Sequence, residues 1–309
     1  MRILSIGCAI LCGSRPVSRT RRVPLDIWMV DLKDLSVDAR QGVDRAKLVF
    51  DREGILVAKN LLPAEVVRTA ADFLRDAVTE IDRTVRRYGF SLQDADAGER
   101  VTALMEPPRA EISEHDRHMF LGHFPLDVRL AEPLRTIPRF LNGHPLLFDL
   151  LSAQQLYAHM PPTARYVLPR CSLARVPLHQ DSSYNRHMGD FCVVWVPLVP
   201  IDLACGGMAA YARTHNAPEM VTERKAAADG WLAPIDSGSA DDAQRVVLAP
   251  LEPGDVVVMG KGTIHESLPN SSDRMRLSCD FRFFGEQSHS TKHYLDIATN
   301  TVVAPTKAQ

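Results

Sequence analysis

Polar Asp51, Arg52, Glu53 and Gly54 give way to the apolar run Ile55, Leu56, Val57, which ends at Lys59 and Asn60 and predicts a short strand. Pro63 then heads a stretch to Arg87 in which Val66, Val67, Ala70, Phe73, Leu74, Ala77, Ile81 and Val85 recur at three- and four-residue spacing. With charged residues mostly on the other face, this period predicts a long amphipathic helix packed on a sheet. Residues 91 to 145 mix acidic, proline and histidine residues, with helical pieces expected around Pro125 to Leu141. From about Ala153 the texture changes to short β-like runs bounded by turn residues: Phe191 to Val199, Val246 to Leu248, Val256 to Met259 and Arg274 to Phe284. Gly238 to Gln244 reads as an exposed polar loop. Helices followed by several short strands predict an α+β or mainly β fold, a sandwich or barrel with helices on one side. Neither an internal repeat nor a linker divides the chain. The expected organisation is a weakly structured leader or arm over residues 1–45 and one domain over 46–309, helical from about 61 to 150, with a β core from about 151 to 285.

Composition narrows the class. With 45% hydrophobic residues in 309, a substantial core is available. The balance of 36 basic against 38 acidic side chains leaves a net charge of -2, so no global field draws nucleic acid or anionic lipid, and a small-molecule substrate is expected. Cysteines at 8, 12, 171, 192, 205 and 279 form no C-x-x-C pair, which argues against a disulfide scaffold or zinc ribbon and for a reducing cytoplasm. The apolar run Ile3 to Gly13 has the outline of a secretory signal but is short and broken by Ser5, Gly7 and the cysteines. The basic, polar Ser14 to Arg22 reads as a loosely attached arm.

Candidate chemistry begins at Leu178-His179-Gln180-Asp181, where two ligand-type side chains one residue apart on an extended backbone point to one face. His265, after the turn Glu252-Pro253-Gly254-Asp255 and the strand that follows it, supplies a third ligand. Two imidazoles and one carboxylate on one face of a metal leave open positions, the arrangement favoured by non-haem iron(II) oxygenases. The run Arg274 to Phe284 alternates, with Arg274, Arg276, Ser278, Asp280 and Arg282 on one face and Met275, Leu277, Cys279, Phe281 and Phe283 on the other. A polar face turned into a cavity would suit a buried carboxylate, which arginine grips in a bidentate fork; an exposed edge strand is the alternative. Trp195 reads as core or cavity wall, and Gln180, Ser182, Ser183 and Tyr184 as substrate contacts or loop packing. His115, His118, His123, His144 and His159 have no accompanying carboxylate or cysteine signature and are expected at the surface or in a substrate lid, while His187, His289 and His293 have no identifiable partner. Two other classes stay open: a non-oxidative metal enzyme such as a zinc hydrolase, with Glu266 beside His265 as general base, and a barrel that only binds ligand.

Taken together these segments resemble the phytanoyl-CoA dioxygenase family of iron(II)- and 2-oxoglutarate-dependent oxygenases. Phe50 to Val57 and Leu62 to Val67 are similar to its first strand and helix, His179-Gln180-Asp181 to its H-Q-D motif, and Trp195-Val196-Pro197-Leu198 to its W-x-P-L strand. His265 matches the distal ligand, Arg276 lies eleven residues beyond it, and Ser278 completes an R-x-S pair. The likeness spans roughly residues 46 to 285. It implies a double-stranded β-helix, or jelly-roll, of cupin type; iron(II) on His179, Asp181 and His265; 2-oxoglutarate as co-substrate anchored by Arg276, with Ser278 and Trp195 beside it; and dioxygen. The implied activity is hydroxylation of an unactivated C–H bond of a small molecule in secondary metabolism, with release of succinate and CO2. One segment departs from the family's N-G-x-L-x-x-x-P-G-S-H: Cys205-Gly206-Gly207-Met208-Ala209-Ala210-Tyr211-Ala212-Arg213-Thr214-His215 keeps the first glycine and the histidine but loses Asn, Pro and the second glycine. That leaves the shape of this turn and the role of His215 open. Related halogenases carry a small residue where Asp181 stands, so the resemblance disfavours chlorination. Arg100, Arg109 and Arg117 are possible contacts to an anionic substrate, or solvated charges.

Overall fold

The computed structural model describes residues 30–39, 42–106, 112–224, 232–235 and 238–305. Its helices are α1 (Leu32–Leu35), α2 (Val43–Glu53), α3 (Ala64–Val85), α4 (Ala97–Met105), α5 (Glu114–Phe120), α6 (Leu126–Leu130), α7 (Glu132–Asn142), α8 (Pro145–Leu151) and α9 (Asp181–Tyr184). The strands are β1 (Ser36–Asp38), β2 (Ile55–Lys59), β3 (Leu156–His159), β4 (Thr163–Val167), β5 (Cys192–Pro197), β6 (Met208–Tyr211), β7 (Thr222–Arg224), β8 (Leu232–Pro234), β9 (Arg245–Leu248), β10 (Val256–Gly260), β11 (His265–Ser267), β12 (Arg276–Gly285), β13 (Tyr294–Asp296) and β14 (Thr301–Val303).

Part of the expected arm is folded. Asp31 closes a capping box on α1: its side chain accepts from the Lys33 and Asp34 amides while the Asp34 carboxylate accepts from Asp31 N–H. β1 then pairs parallel with β2, and Leu35 and Val37 are buried. The tertiary contacts of this short stretch outweigh its weak local signal. The signal-like run and the basic stretch after it lie outside the described residues.

The long helix is α3, with Val67, Ala70, Leu74, Val78, Ile81 and Val85 buried at the predicted spacing. It packs along α7 rather than on the sheet; α2 covers β2 and β10, and α8 reaches β12. Periodicity gives the apolar face of a helix but not the element it meets. α2 stops where it must, because Gly54 takes φ 71 and donates its N–H to the Phe50 carbonyl at 2.7 Å.

The larger sheet runs β1-β2-β10-β5-β12-β3-β13-β14, with β4 also paired to β12, and the smaller runs β11-β6-β9. Apart from β1–β2, these pairs are antiparallel. β7 and β8 form a separate ribbon. In register, Ser278, Asp280 and Arg282 of β12 face Pro197, Trp195 and Val193 of β5. Leu277, Cys279, Phe281 and Phe283 turn the other way and are buried; each large side chain there contributes roughly 1.5–3 kcal/mol of burial. Strands from both sheets wall a single cavity, so the core is a jelly-roll with its interior kept open at one point. Cys171, Cys192, Cys205 and Cys279 are buried free thiols. No helix among the described residues is long and apolar enough to cross a membrane.

Candidate active site

The cavity has a volume of about 410 Å³. His179 and His265 reach it from segments far apart in the chain that are stitched into a two-residue ladder: each donates its backbone N–H to the other's carbonyl at 2.9 Å. This brings the rings to a centroid distance of 4.2 Å. Asp181 follows at the first turn of α9, so the H-x-D pair shares a face although only its first half is extended. The ligand-type atoms of His179, Asp181 and His265 all lie within 4.8 Å of one another, and this is the cluster able to hold a metal among the described residues.

Each ring is held in one tautomer. His179 Nδ1 lies 2.7 Å from the Pro177 carbonyl and His265 Nδ1 lies 2.9 Å from that of Thr263. A carbonyl only accepts, so Nδ1 carries the proton in both and the Nε2 lone pairs are left for a cation. Burial pushes His179 down to about 3, which keeps it neutral and able to ligate. Asp181 divides its oxygens. Oδ1 accepts from Arg282 at 2.7 Å and from Asn185 at 3.2 Å, while Oδ2 stands 3.6 Å from His265 Nε2. Burial works to raise this carboxyl, but the Arg282 guanidinium overrides it and holds Asp181 at about 2. Two neutral imidazoles and a carboxylate with one oxygen committed elsewhere are the donor set that suits iron(II) with open positions.

Arg276 occupies another part of the cavity wall, six residues from Arg282 along β12 and so roughly 20 Å away at about 3.3 Å per residue. One of its terminal nitrogens donates to the carbonyls of Gly206, Gly207 and Leu268 at 2.6, 3.1 and 3.2 Å. Its Nε is buried and has no hydrogen-bond partner. Burial, reinforced by the nearby Arg165, pushes Arg276 down to about 10, which still leaves it a cation at neutral pH without a counter-ion. A guanidinium anchored by one nitrogen and lacking a partner at Nε fits a carboxylate arriving from the cavity. Ser278 and Trp195 line the same space.

Other expectations are corrected. Gln180 does not face the cavity: it donates to the Gly262 carbonyl at 2.8 Å and accepts from Met220 N–H at 2.7 Å, fastening two loops. Ser182 and Ser183 do not line the cavity, whereas Tyr184 does. Arg100 pairs with Asp96 at the surface, Arg117 reaches the Ile112 carbonyl, and Arg109 lies outside the described residues. His187, expected to be without a partner, lies 3.4 Å from His159. Arg274, placed on the cavity face, precedes β12 and pairs with Asp202. His215 packs its ring against Gly54 and is not a wall residue. Glu266 points to the opposite side of β11 from His265, where Arg175 and Arg245 hold it at 2.7 and 3.0 Å; a general base tied to two guanidiniums and turned away from the triad does not serve a hydrolase. The residues missed are Arg129, Arg165, Lys292 and Asn185, which also line the cavity, as do His123 and His159, expected at the surface or in a substrate lid. They come from loops and short elements with no local motif, whereas Asp280 and Arg282 line the cavity on the polar face that the alternation of β12 predicts.

A family model described as phytanoyl-CoA dioxygenase (PhyH) matches residues 50–278. Over 263 residues the chain is 25% identical to a 1-deoxypentalenic acid 11-beta-hydroxylase of Streptomyces exfoliatus, covering 82% of this chain and 84% of that one. Among solved structures it is similar to the epimerase SnoN in complex with Fe3+, alpha ketoglutarate and nogalamycin RO, with TM-score 0.55, 16% identity and coverage of 81% and 86%. The alpha ketoglutarate-dependent carbocyclase SnoK from nogalamycin biosynthesis is also similar, with TM-score 0.52, 14% identity and coverage of 89% and 97%. At such identities the structures bear on the fold alone.

Proposed function

We propose, from the premise that the chain belongs to the phytanoyl-CoA dioxygenase family of iron(II)- and 2-oxoglutarate-dependent oxygenases, that it hydroxylates an unactivated C–H bond of a compact small molecule in secondary metabolism. One observation carries the reading: the cavity that holds the His179, Asp181, His265 cluster also holds Arg276, a buried cation whose Nε has no partner. His179, Asp181 and His265 are the proposed iron ligands. Arg276 would take the far carboxylate of 2-oxoglutarate, with Ser278 and Trp195 lining the co-substrate's site. Iron(II) with 2-oxoglutarate and dioxygen supplies, when bound, oxidative decarboxylation to succinate and CO2 coupled to oxidation of a substrate C–H bond.

The protein's part in this is placement. Backbone carbonyls 177 and 263 fix the imidazole tautomers, Arg282 and Asn185 leave one Asp181 oxygen for the metal, and Met208, Met259 and Val193 line the space beside the cluster with apolar surface. Hydroxylation is favoured over other outcomes by the 25% identity to a hydroxylase across most of both chains. An epimerase and a carbocyclase share the fold, so the fold itself does not choose the outcome. Anaerobic titration of the metal-free protein with iron(II) and 2-oxoglutarate tests the assignment. A weak visible charge-transfer band is expected in the wild type, lost in His265→Ala and requiring at least tenfold more 2-oxoglutarate in Arg276→Ala. A folded, metal-binding wild type without the band would overturn it.

A further inference from the structure

Two cations of the cavity wall are not used by the reading above. Arg129, on α6, faces the cavity; its Nε is buried without a hydrogen-bond partner, and among the described residues its guanidinium enters no ion pair. Lys292, on the segment between β12 and β13, is exposed at the same cavity, and its ammonium likewise has no ion-pair partner among the described residues. The wall's two carboxylates are already engaged. Asp181 is bonded to Arg282 at 2.7 Å, and Asp280 to the same guanidinium at 2.9 Å. His123 and His159 line the cavity with them, and burial first holds both imidazoles well below their ordinary range, so they add no charge at neutral pH.

This second cationic pole lies toward the Arg282 end of β12, because Arg129 senses Asp280 and Arg282, whereas Arg276 is anchored at the Gly206 end. A dicarboxylate spanning Arg276 and the metal therefore leaves Arg129 and Lys292 without a bonded anion among the described residues: Asp280 acts on Arg129 only from beyond ion-pair distance, and its carboxylate is held by Arg282. Desolvating a guanidinium without a counter-charge is costly, so a site that retains one facing a cavity is built for an anion brought by the ligand. The rest of the lining mixes apolar side chains, including Met160, Pro161, Val176, Val193, Met208 and Met259, with the uncharged polar Thr163, Tyr184, Asn185 and Ser267. The volume of about 410 Å³ has to hold the co-substrate as well, which limits the second ligand to a compact molecule.

We propose that Arg129 and Lys292 form an oxyanion subsite for the prime substrate, which is a compact, mostly apolar molecule carrying one carboxylate or phosphoryl group. This rests on the oxygenase reading of the same cavity. The group is held at the cation pair while the rest of the molecule reaches along the cavity toward the metal, so the anchor determines which carbon faces the reacting centre.

The test uses the whole protein with iron(II) and 2-oxoglutarate under argon. The charge-transfer band is read first, and its absence counts against the oxygenase reading alone. Calorimetric titration of the same protein, with and without metal, then compares benzoate, decanoate and adamantane-1-carboxylate with their primary amides, and with adamantane-1-phosphonate. At least one acid is expected to bind about tenfold or more tightly than its amide, the scale of one charge-assisted hydrogen bond. That preference should shrink severalfold in Lys292→Gln, an exposed position where folding is not at stake. It should vanish in Arg129→Gln and return in part in Arg129→Lys, with the 2-oxoglutarate band unchanged in all three. Stronger binding of the phosphonate than of the carboxylate assigns the subsite to a phosphoryl group; the reverse assigns it to a carboxylate. Equal binding of every acid and its amide, or a preference that survives Arg129→Gln, overturns the proposal.

Discussion

Asp181 has to serve two partners with two oxygens, and the guanidinium of Arg282 decides the division. Arg282 spends one terminal nitrogen on Asp181 Oδ1 at 2.7 Å and the other on Asp280 and Thr163, so its plane is fixed from three sides. Burial alone would lower an arginine's pKa, but the two carboxylates overcome it and hold Arg282 above its ordinary value. Asp280, in turn, is pushed upward by burial, which the Arg282 guanidinium opposes. Replacing Arg282 with methionine keeps much of the volume and frees Asp181 Oδ1. Iron(II) affinity is expected to fall about 10–100-fold, the scale seen when a group orienting a metal ligand is removed. At saturating iron the requirement for 2-oxoglutarate should change far less, because Arg276 is untouched. Parallel titrations of metal and co-substrate separate these, and equal losses in both would show a collapsed site instead of a misdirected ligand. None of this was legible beforehand: the face of Arg282 could be read from the alternation of β12, but its partner lies 101 residues away.

At the scale of elements, the turn before β6 connects backbone shape to the proposed co-substrate anchor, Arg276. Gly206 sits at φ 64, and a Cβ there would press into the carbonyl of Pro269, while its own carbonyl accepts from Arg276 at 2.6 Å. Gly206→Ala is therefore expected to lower stability by about 1–3 kcal/mol and to raise the 2-oxoglutarate requirement by shifting the anchor of Arg276. Gly207→Ala should be milder, since its φ is not in the left-handed region and a Cβ there meets the Ile201 Cγ2 methyl at 2.9 Å and the Leu248 carbonyl at 3.2 Å, against the Pro269 carbonyl at 2.1 Å for Gly206. Denaturant melts and co-substrate titrations of the two variants make the comparison, and indistinguishable variants would refute it. The other end of the same segment explains how it departs from the family pattern. Arg213 adopts φ 66 where the family has glycine, and the fully buried Glu53 receives its guanidinium at 2.9 and 3.2 Å, with a backbone bond from Arg213 N–H to Glu53 O at 2.8 Å. The tertiary pair offsets a strained backbone that glycine would adopt freely. Where an element carries its own period, as in α3 and β12, its extent and its buried face were readable. Which element it packs on, and short pieces such as α1 and β1, depend on distant contacts with no local trace.

Across the whole molecule a net charge of -2 conceals a strongly uneven interior. Arg129, Arg165, Arg276, Arg282 and Lys292 share one cavity with two carboxylates, and two histidines on its wall respond to that excess as well as to burial. Burial first, then Arg165, His118 and Arg129, hold His123 at about 3. Burial first, then His187, Arg282, Lys292 and Arg129, hold His159 at about 3. In the unfolded chain both titrate near 6.5. Between these limits the unfolded state binds more protons than the folded one, so stability must fall as pH falls from about 6.5 toward 3. Each ring contributes at most about 1.4 kcal/mol per pH unit, less to the extent that water reaches it. Asp82 and Asp116 add a loss of the same sign only at lower pH: burial raises both, but hydrogen bonds, including those from Leu92, Arg86 and Ser91 to Asp82 and from Tyr88, Ser113 and Arg87 to Asp116, hold them below 3.8. The melting temperature of the metal-free protein is therefore expected to drop between pH 7 and pH 5, before these carboxylates titrate. His123→Gln with His159→Gln should flatten that drop without abolishing it, because His179 carries the same sign. Thermal melts across this interval decide the matter: a wild type with a level melting temperature, or a double variant as steep as the wild type, would show that burial and the cavity's cations together do not hold these rings neutral.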